Sequence, residues 1–355
     1  MILTILIAFI SLIGLMVIHE LGHFVLAKKF GTEVEEFGVG YPPRIFGKKI
    51  GETIYSLNLI PFGAFVKVKG EMGGIEDYHS FSSKPMWQRF SIVLGGVVSF
   101  WVVSFIILSV VAGVWGLPTE VKDTDKSVAS PKVYIAAISS DSPAKEADLR
   151  LGDIVLGFSK IKEVQEFIDL NRGKELIFTV KRGSEVVEKK MIPRVLPPEG
   201  QGPLGVGLAR SGLKIYPWYQ APLQGAVATG SLTANIFSGW QLGLKSLLGI
   251  TELPEGLKME LMGPLGIFDL LRQHFEMGVN YFLFLIAVIS IALALANILP
   301  IPALDGGKLV FLSIEAIRGK PINHKLEQRI SSTFFALLII LMIFVTIKFD
   351  IPRVF

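Results

Sequence analysis

MVIHELGH, residues 16–23, is the stretch whose reading decides the fold. It sets two histidines and a glutamate near the end of an apolar run, residues 1–27, in which Glu20 is the only formally charged side chain. A helix needs about 20 residues to cross a bilayer, and this run is long enough. Each polar group within such a helix costs about 2–3 kcal/mol or more, so a cluster of them implies a function. His19 and His23 are four residues apart and share one helix face, the spacing with which two imidazoles hold one Zn²⁺. Glu20, between them, is placed to act as general base on water.

The whole chain agrees with a membrane setting. It has 355 residues, of which 51% are hydrophobic, and a mean hydropathy of +0.54, well above an ordinary soluble domain. A soluble peptidase is thereby excluded. The net charge of +4 is modest, and no stripe of Lys and Arg interleaves with aromatics, so nucleic acid is not expected as a partner. With no cysteine, there is no disulfide, zinc ribbon or thiol nucleophile, and a metal must be held by His and carboxylates. Neither a phosphate-binding loop nor a dinucleotide fingerprint occurs. A cleaved signal peptide is disfavoured, because no basic segment opens the chain and no small-residue cleavage pattern precedes Lys28.

Four runs are expected to span the membrane: residues 2–27, 89–115, 278–299 and 332–347. A fifth, residues 221–251, is diluted by Gly, Ser, Thr, Asn and Gln. Its Leu232, Ile236, Trp240, Leu244 and Leu248 recur every four residues, so it is expected as an amphipathic helix at the interface. Lys28, Lys29, Arg44, Lys48, Lys49, Lys84 and Arg89 fall between the first two spans. Lys308, Arg318, Lys320, Lys325 and Arg329 fall between the last two. Both loops are therefore expected in the cytoplasm, and the N-terminus, middle segment and C-terminus outside an inner (cytoplasmic) membrane.

The expected organisation is residues 1–116 for the first two spans and the loop between them, 128–196 for an inserted domain, 215–277 for interfacial helices, and 278–355 for the last two spans. In the loop, residues 52–71 alternate and are interrupted by Pro61-Phe62-Gly63, which predicts a β-hairpin lying at membrane depth. In the inserted domain, residues 133–138 read as a strand and 141–158 as a turn, a short helix, a Gly-Asp turn and a strand. VQEFIDL reads as a helix, and residues 175–193 as a hairpin turning at Arg182-Gly183-Ser184. The run from Ser142-Pro143-Ala144 to Leu151-Gly152-Asp153 resembles a bacterial PDZ domain, a fold that binds peptides by adding a strand; the domain is short after Phe158, and the alternative is a steric cap that binds no ligand.

A catalytic zinc of this kind needs a third protein ligand and an open position. NILPIPALDGG, residues 297–307, ends the third span, and Asp305 is the one carboxylate within reach of that span's inner end. Pro300 and Pro302 break the helix, and Gly306-Gly307 is expected to let the backbone turn sharply. Spans one and three then bring their halves of the site to the same leaflet. A fifth span would separate Asp305 from His19 by most of a bilayer, about 30 Å.

HELGH in a first span and NxxPxPxxDGG after a later one resemble the signature of the site-2 protease family of intramembrane zinc metalloproteases, which includes bacterial enzymes that cleave anti-sigma factors. The likeness covers nearly the whole chain. It implies a polytopic α-helical membrane protein of four transmembrane helices, with a membrane-associated β-hairpin and one extracytoplasmic PDZ-like α+β domain. It implies one Zn²⁺ on His19, His23 and Asp305, toward the cytoplasmic side, and water activated by Glu20. It further implies substrate contacts at Asn297, Pro300 and Pro302, and at Gly63 and Phe65 of the hairpin. Ser99 stands where the family commonly has Asn and is the further substrate contact expected from span two, and GPLGI, residues 263–267, is similar to the family's stretch before span three. The implied substrates are single-span membrane proteins already trimmed by another protease, such as anti-sigma factors or signal-peptide remnants. The alternative is a non-catalytic metal-binding scaffold or a transporter, although transporters show repeated broken helices that are not visible here.

Overall fold

The computed structural model describes residues 2–71, 77–182, 185–198, 200–251 and 261–354. In chain order the elements are α1 (Ile2–Lys29), β1 (Val34–Ile50), β2 (Thr53–Val68), α2 (Met86–Val114), β3 (Leu117–Glu120), β4 (Ala129–Ile138), α3 (Pro143–Glu146), β5 (Ile154–Val155), α4 (Ile161–Leu170), β6 (Leu176–Arg182), β7 (Glu185–Met191), β8 (Val206–Lys214), α5 (Ala221–Leu247), α6 (Pro264–Met277), α7 (Val279–Ile298), α8 (Asp305–Arg318), α9 (His324–Val345) and α10 (Ile351–Val354). Among the described residues four helices are long and apolar enough to cross a membrane: α1, α2, α7, and α9 with its continuation. The fifth apolar segment forms α5, which is not one of the four.

The described residues fall into two compact units. One comprises Met1–Ile107, Val227–Phe237 and Leu261–Phe355; the other is Leu108–Ala226 with the end of α5.

In the first unit, α1 ends with Lys28 and Lys29 in its last turn, where cations favour the helix dipole. Gly31, at φ +66°, then turns the chain out. A buried cluster of Ala8, Leu15, Val97, Phe100, Leu271, Phe282 and Ala294 joins α1, α2, α6 and α7. A second cluster of Ala27, Val34, Val68, Phe81, Ile92 and Leu312 ties the ends of α1 and α8 to β1, β2 and α2.

Residues 52–71 do not fold back on themselves as a hairpin. Thr53–Val68 is one bent strand that pairs with β1 through Thr53–Asn58, Ile60 and Ala64–Val68. Ile50↔Thr53 to Gly47↔Ser56 is a tight hairpin turned at Gly51 (φ +61°). Beyond it, the segment Glu36–Val39 is flanked on both sides, by Ile54–Leu57 and by Ala64–Lys67. The break at Pro61-Phe62-Gly63 carries β2 around this inserted segment, and Gly63 takes φ +109° to do so. Charged residues and the Pro42-Pro43 pair hide β1's alternation, so sequence pattern finds only one partner of this sheet.

The second unit holds a six-stranded sheet in the order β3-β8-β4-β5-β6-β7, with antiparallel pairings. Val133, Ile135, Val155, Phe178 and Val180 form its core, against Ala144 of α3 and Val164 and Ile168 of α4. Ser142 caps α3, its Oγ accepting from Lys145 N–H at 3.2 Å. Asp153 Oδ2 accepts from Arg150 N–H at 2.9 Å and closes the turn at Gly152 (φ +85°). The sheet reaches beyond residues 128–196, since β3 and β8 belong to it. Gly183 and Ser184, where the β6–β7 turn is expected, lie outside the described residues.

Candidate metal centre

The site starts with the crossing of α1 and α2. A Cβ on Gly22 would lie 2.2 Å from the Gly95 carbonyl oxygen, and one on Gly95 2.6 Å from that of Gly22. Small residues let apolar helices touch at the backbone. One residue on, Gly96 makes room for the imidazoles: a Cβ there would stand 2.2 Å from His23 Nε2 and 2.7 Å from His19 Cε1. His19 also stacks on Phe100, with ring centroids 4.8 Å apart and planes 16° apart.

His23 Nδ1 lies 2.9 Å from the Ile92 carbonyl oxygen. A carbonyl only accepts, so Nδ1 carries the proton, and Nε2 of the neutral ring presents a lone pair. That atom is 3.3 Å from His19 Nε2. Asp305 Oδ2 faces both, at 3.3 Å from His19 Nε2 and 3.4 Å from His23 Nε2. It is buried, and among the described residues it has no hydrogen-bond partner. Three electron-pair donors thus converge, one atom each within 4.8 Å of one another. Neutral imidazoles and a carboxylate are an ordinary zinc donor set, and the residues fit such an ion.

Asp305 reaches this point because α7 stops at Leu299 and the chain turns before α8 begins. Ile301 N–H donates to the Leu299 carbonyl at 2.7 Å, and Leu304 N–H to that of Ile301 at 2.9 Å. Asp305 is then the first residue of α8. Gly306 and Gly307 do not provide a sharp turn, since both lie in α8 and neither has a positive φ. They provide space. A Cβ on Gly306 would lie 2.1 Å from the Leu299 carbonyl oxygen, and one on Gly307 2.3 Å from that of Ile301.

Two ion pairs hold α8 in place. Arg89, at the start of α2, meets Glu315 with its two terminal guanidinium nitrogens, Nη1 and Nη2, at 2.6 and 3.0 Å. Lys308, one turn beyond Asp305, pairs with Glu71 after β2 and lies over the Phe81 ring at 5.1 Å.

The three candidate ligands and Glu20 line one cavity of about 560 Å³. Tyr41, Ala64, Phe65 and Val66 of the sheet, Pro302, and Ser331 and Phe335 of α9 line it too.

Other expected substrate contacts lie elsewhere. Ser99 Oγ donates to the Gly96 carbonyl at 2.6 Å, and Asn297 Nδ2 to that of Leu293 at 2.9 Å, so both are engaged within their own helices. Neither of them, nor Pro300 or Gly63, is among the residues lining the cavity. Gly63 packs beside Tyr41 and Met16. Sequence reasoning missed Gly96, Phe100, the Ile92 carbonyl and the polar face of α9. The Gly95-Gly96 pair within an apolar helix was the one available signal.

An HExxH helix completed by a distant carboxylate, in a frame of apolar helices, defines the donor set of a membrane metallopeptidase. Residues 7–341 match peptidase family M50, and the chain belongs to that family, the site-2 proteases. A Clostridium perfringens protein whose provisional name is zinc metalloprotease is 34% identical over 96% of both chains. The regulator of sigma-W protease RasP of Bacillus subtilis is 28% identical over 98% of both. The zinc metalloprotease RasP of Oceanobacillus iheyensis is 26% identical over 99% of this chain and 100% of its own.

Proposed function

We propose that this multi-pass membrane protein is a zinc endopeptidase that hydrolyses a peptide bond within or near the transmembrane helix of single-span proteins. The observation that carries the reading is the convergence of His19, His23 and Asp305 on one point beside Glu20, in a cavity walled by apolar helices. When bound, zinc supplies a Lewis acid for the scissile carbonyl and makes water nucleophilic near neutral pH. His19, His23 and Asp305 hold it. Glu20 takes the proton from the attacking water and passes it to the leaving amine. Gly96 keeps both imidazoles in place, and the Ile92 carbonyl fixes the His23 tautomer.

A peptide bond inside a helix is shielded, so the substrate must unwind first. The segment Ala64–Val68 pairs with β1 on one side and lines the cavity through Ala64, Phe65, Val66 and Val68. Its other edge offers backbone groups to an extended substrate, which supports strand addition there. Phe65 and Pro302 are the two expected contacts that line the cavity. Asn297, Pro300, Gly63 and Ser99 are assigned an indirect part, shaping the helix ends and the sheet around the cavity.

The basic loops support a cytoplasmic-side zinc site in an inner membrane, with both termini and the sheet unit outside. Leu244 and Leu248 of the α5 stripe are 58% and 65% exposed, so they are free to face lipid and support an interfacial helix. In the sheet unit, the Ser142-capped helix, the Gly152-Asp153 turn and the α4 pack support a PDZ-like domain. Its role is to exclude bulky ectodomains, so that pre-trimmed proteins enter. Anti-sigma factors are one such class, in keeping with the sigma-W name of the Bacillus relative.

Metal exchange tests the assignment. Protein stripped by a chelator should lose cleavage of a reconstituted single-span peptide and regain it with stoichiometric zinc. Full cleavage by demonstrably zinc-free protein would sink it.

A further inference from the structure

The last apolar helix carries a carboxylate that the proposed reaction does not use. After α9 the chain passes through a π-helical turn, Thr346–Asp350, into α10. Such turns re-aim side chains and are frequent at functional places. Asp350 is 0% exposed. An ionisable side chain buried at the end of an apolar span calls for a named partner. Here the partner is the start of α6: Gly263 N–H donates to Asp350 Oδ1 at 2.9 Å, where free amides and the helix dipole favour a carboxylate. Two glycines of GPLGI make the fit. A Cβ on Gly263 would lie 2.6 Å from Oδ2, and one on Gly266 2.7 Å from Oδ1.

Two unlike helices meet at this anchor. α6 is embedded in the core: Leu271 is buried among residues of α1, α2 and α7, and Phe268 stacks on Phe9, whose ring meets Phe62 at the β2 bend. α9 has little packing of its own, with 6% of its most apolar stretch buried. Yet Glu327, Gln328, Ser331 and Phe335 of α9 line the catalytic cavity. A wall with so little packing depends on its fastened end. We propose that Asp350 is a positioning residue: its carboxylate fastens the last apolar helix to the GPLGI start of α6 and thereby sets the α9 wall of the cavity. This rests on the reading of that cavity as the protease site.

The test uses the full chain in liposomes with a single-span peptide. Asp350→Ala should cleave with a KM raised about tenfold, with kcat and zinc content nearly unchanged, because the wall holds substrate rather than the reacting atoms. The chain has no cysteine, so Gly263→Cys with Asp350→Cys can replace the hydrogen bond by a disulfide; a Cβ on Gly263 would lie 3.3 Å from Asp350 Cγ. When oxidised, that pair should return KM to within about threefold of wild type, and when reduced it should resemble Asp350→Ala. A wild-type KM in Asp350→Ala, or an oxidised pair no better than the reduced one, overturns the anchor and leaves the protease assignment standing. Should Asp350→Ala fail to fold, oxidised and reduced samples of the double variant still decide. A wild-type protein that does not cut the peptide at all removes the protease reading, and the anchor's role in it.

Discussion

At the residue scale, the site turns on which atoms are absent as much as on which are present. His19, Glu20 and His23 were legible in the sequence because polar side chains are costly in an apolar run and the i, i+4 spacing has a geometric meaning. Gly96 was not, because its part depends on where α2 crosses α1, and no local pattern encodes that register. Gly96→Ala puts a methyl 2.2 Å from His23 Nε2. It should weaken zinc binding at least about tenfold while the protein stays folded in detergent, measured by competition with a chromogenic chelator. Ser99 is the contrasting case. Its hydroxyl is spent on the Gly96 carbonyl, so Ser99→Ala should keep cleavage within about threefold of wild type. A much larger loss in the rate assay would give Ser99 the substrate contact that its position in the family pattern suggests.

At the scale of elements, the four apolar helices were readable from length and composition, whereas β1 and α8 were not. β1 is masked by charge and proline and becomes a strand by pairing with two segments of β2, near the Gly51 turn and at Ala64–Lys67. α8 follows the helix break at Pro300 and Pro302, after which no helix was expected, and it is held by tertiary contacts with α2 and the segment after β2. The expectation for Gly306-Gly307 failed for a related reason: glycine signals either a turn or a close approach, and only the packed carbonyls of residues 298–301 distinguish the two. The Arg89–Glu315 pair is the main polar tie of α8, with side chains 10% and 18% exposed. Arg89→Ala leaves the partly buried Glu315 without its partner, which should cost about 2–3 kcal/mol of stability by denaturant unfolding in detergent. Arg89→Met with Glu315→Leu should recover most of that loss; if it does not, the pair is not what holds α8.

At the scale of the whole molecule, the sheet unit was legible as an insertion, but its limits were not, because β3 and β8 are far apart in sequence and pair only when folded. That pairing shapes the deletion that tests ectodomain exclusion. Removing residues 121–205 leaves β3 and β8 able to pair, and the truncated protein should cut untrimmed single-span substrates about as fast as trimmed ones. Unchanged selectivity would mean the unit does not filter substrates. The unit also has a pH signature. Asp148 is held well below the usual carboxylate range, chiefly by the Arg150 hydrogen bond and then by Lys189 and Arg182. A depressed folded pKa stabilises above the unfolded value of about 3.9 and is lost as pH falls through the folded one. Thermal unfolding of the full protein should therefore be nearly flat from pH 7 to 5 and fall below pH 4; Asp148 is 55% exposed and its ion pairs are screened by solvent, so Asp148→Asn should remove only a small part of that fall.

The central claim is that Glu20 moves the proton while His19, His23 and Asp305 hold the metal. Glu20→Gln keeps the shape of the helix and removes the base. Purified Glu20→Gln protein, reconstituted with a single-span peptide, should hold one zinc per chain, bind the peptide and cleave it at least about a thousandfold more slowly than wild type. Cleavage near the wild-type rate by that variant would contradict the account.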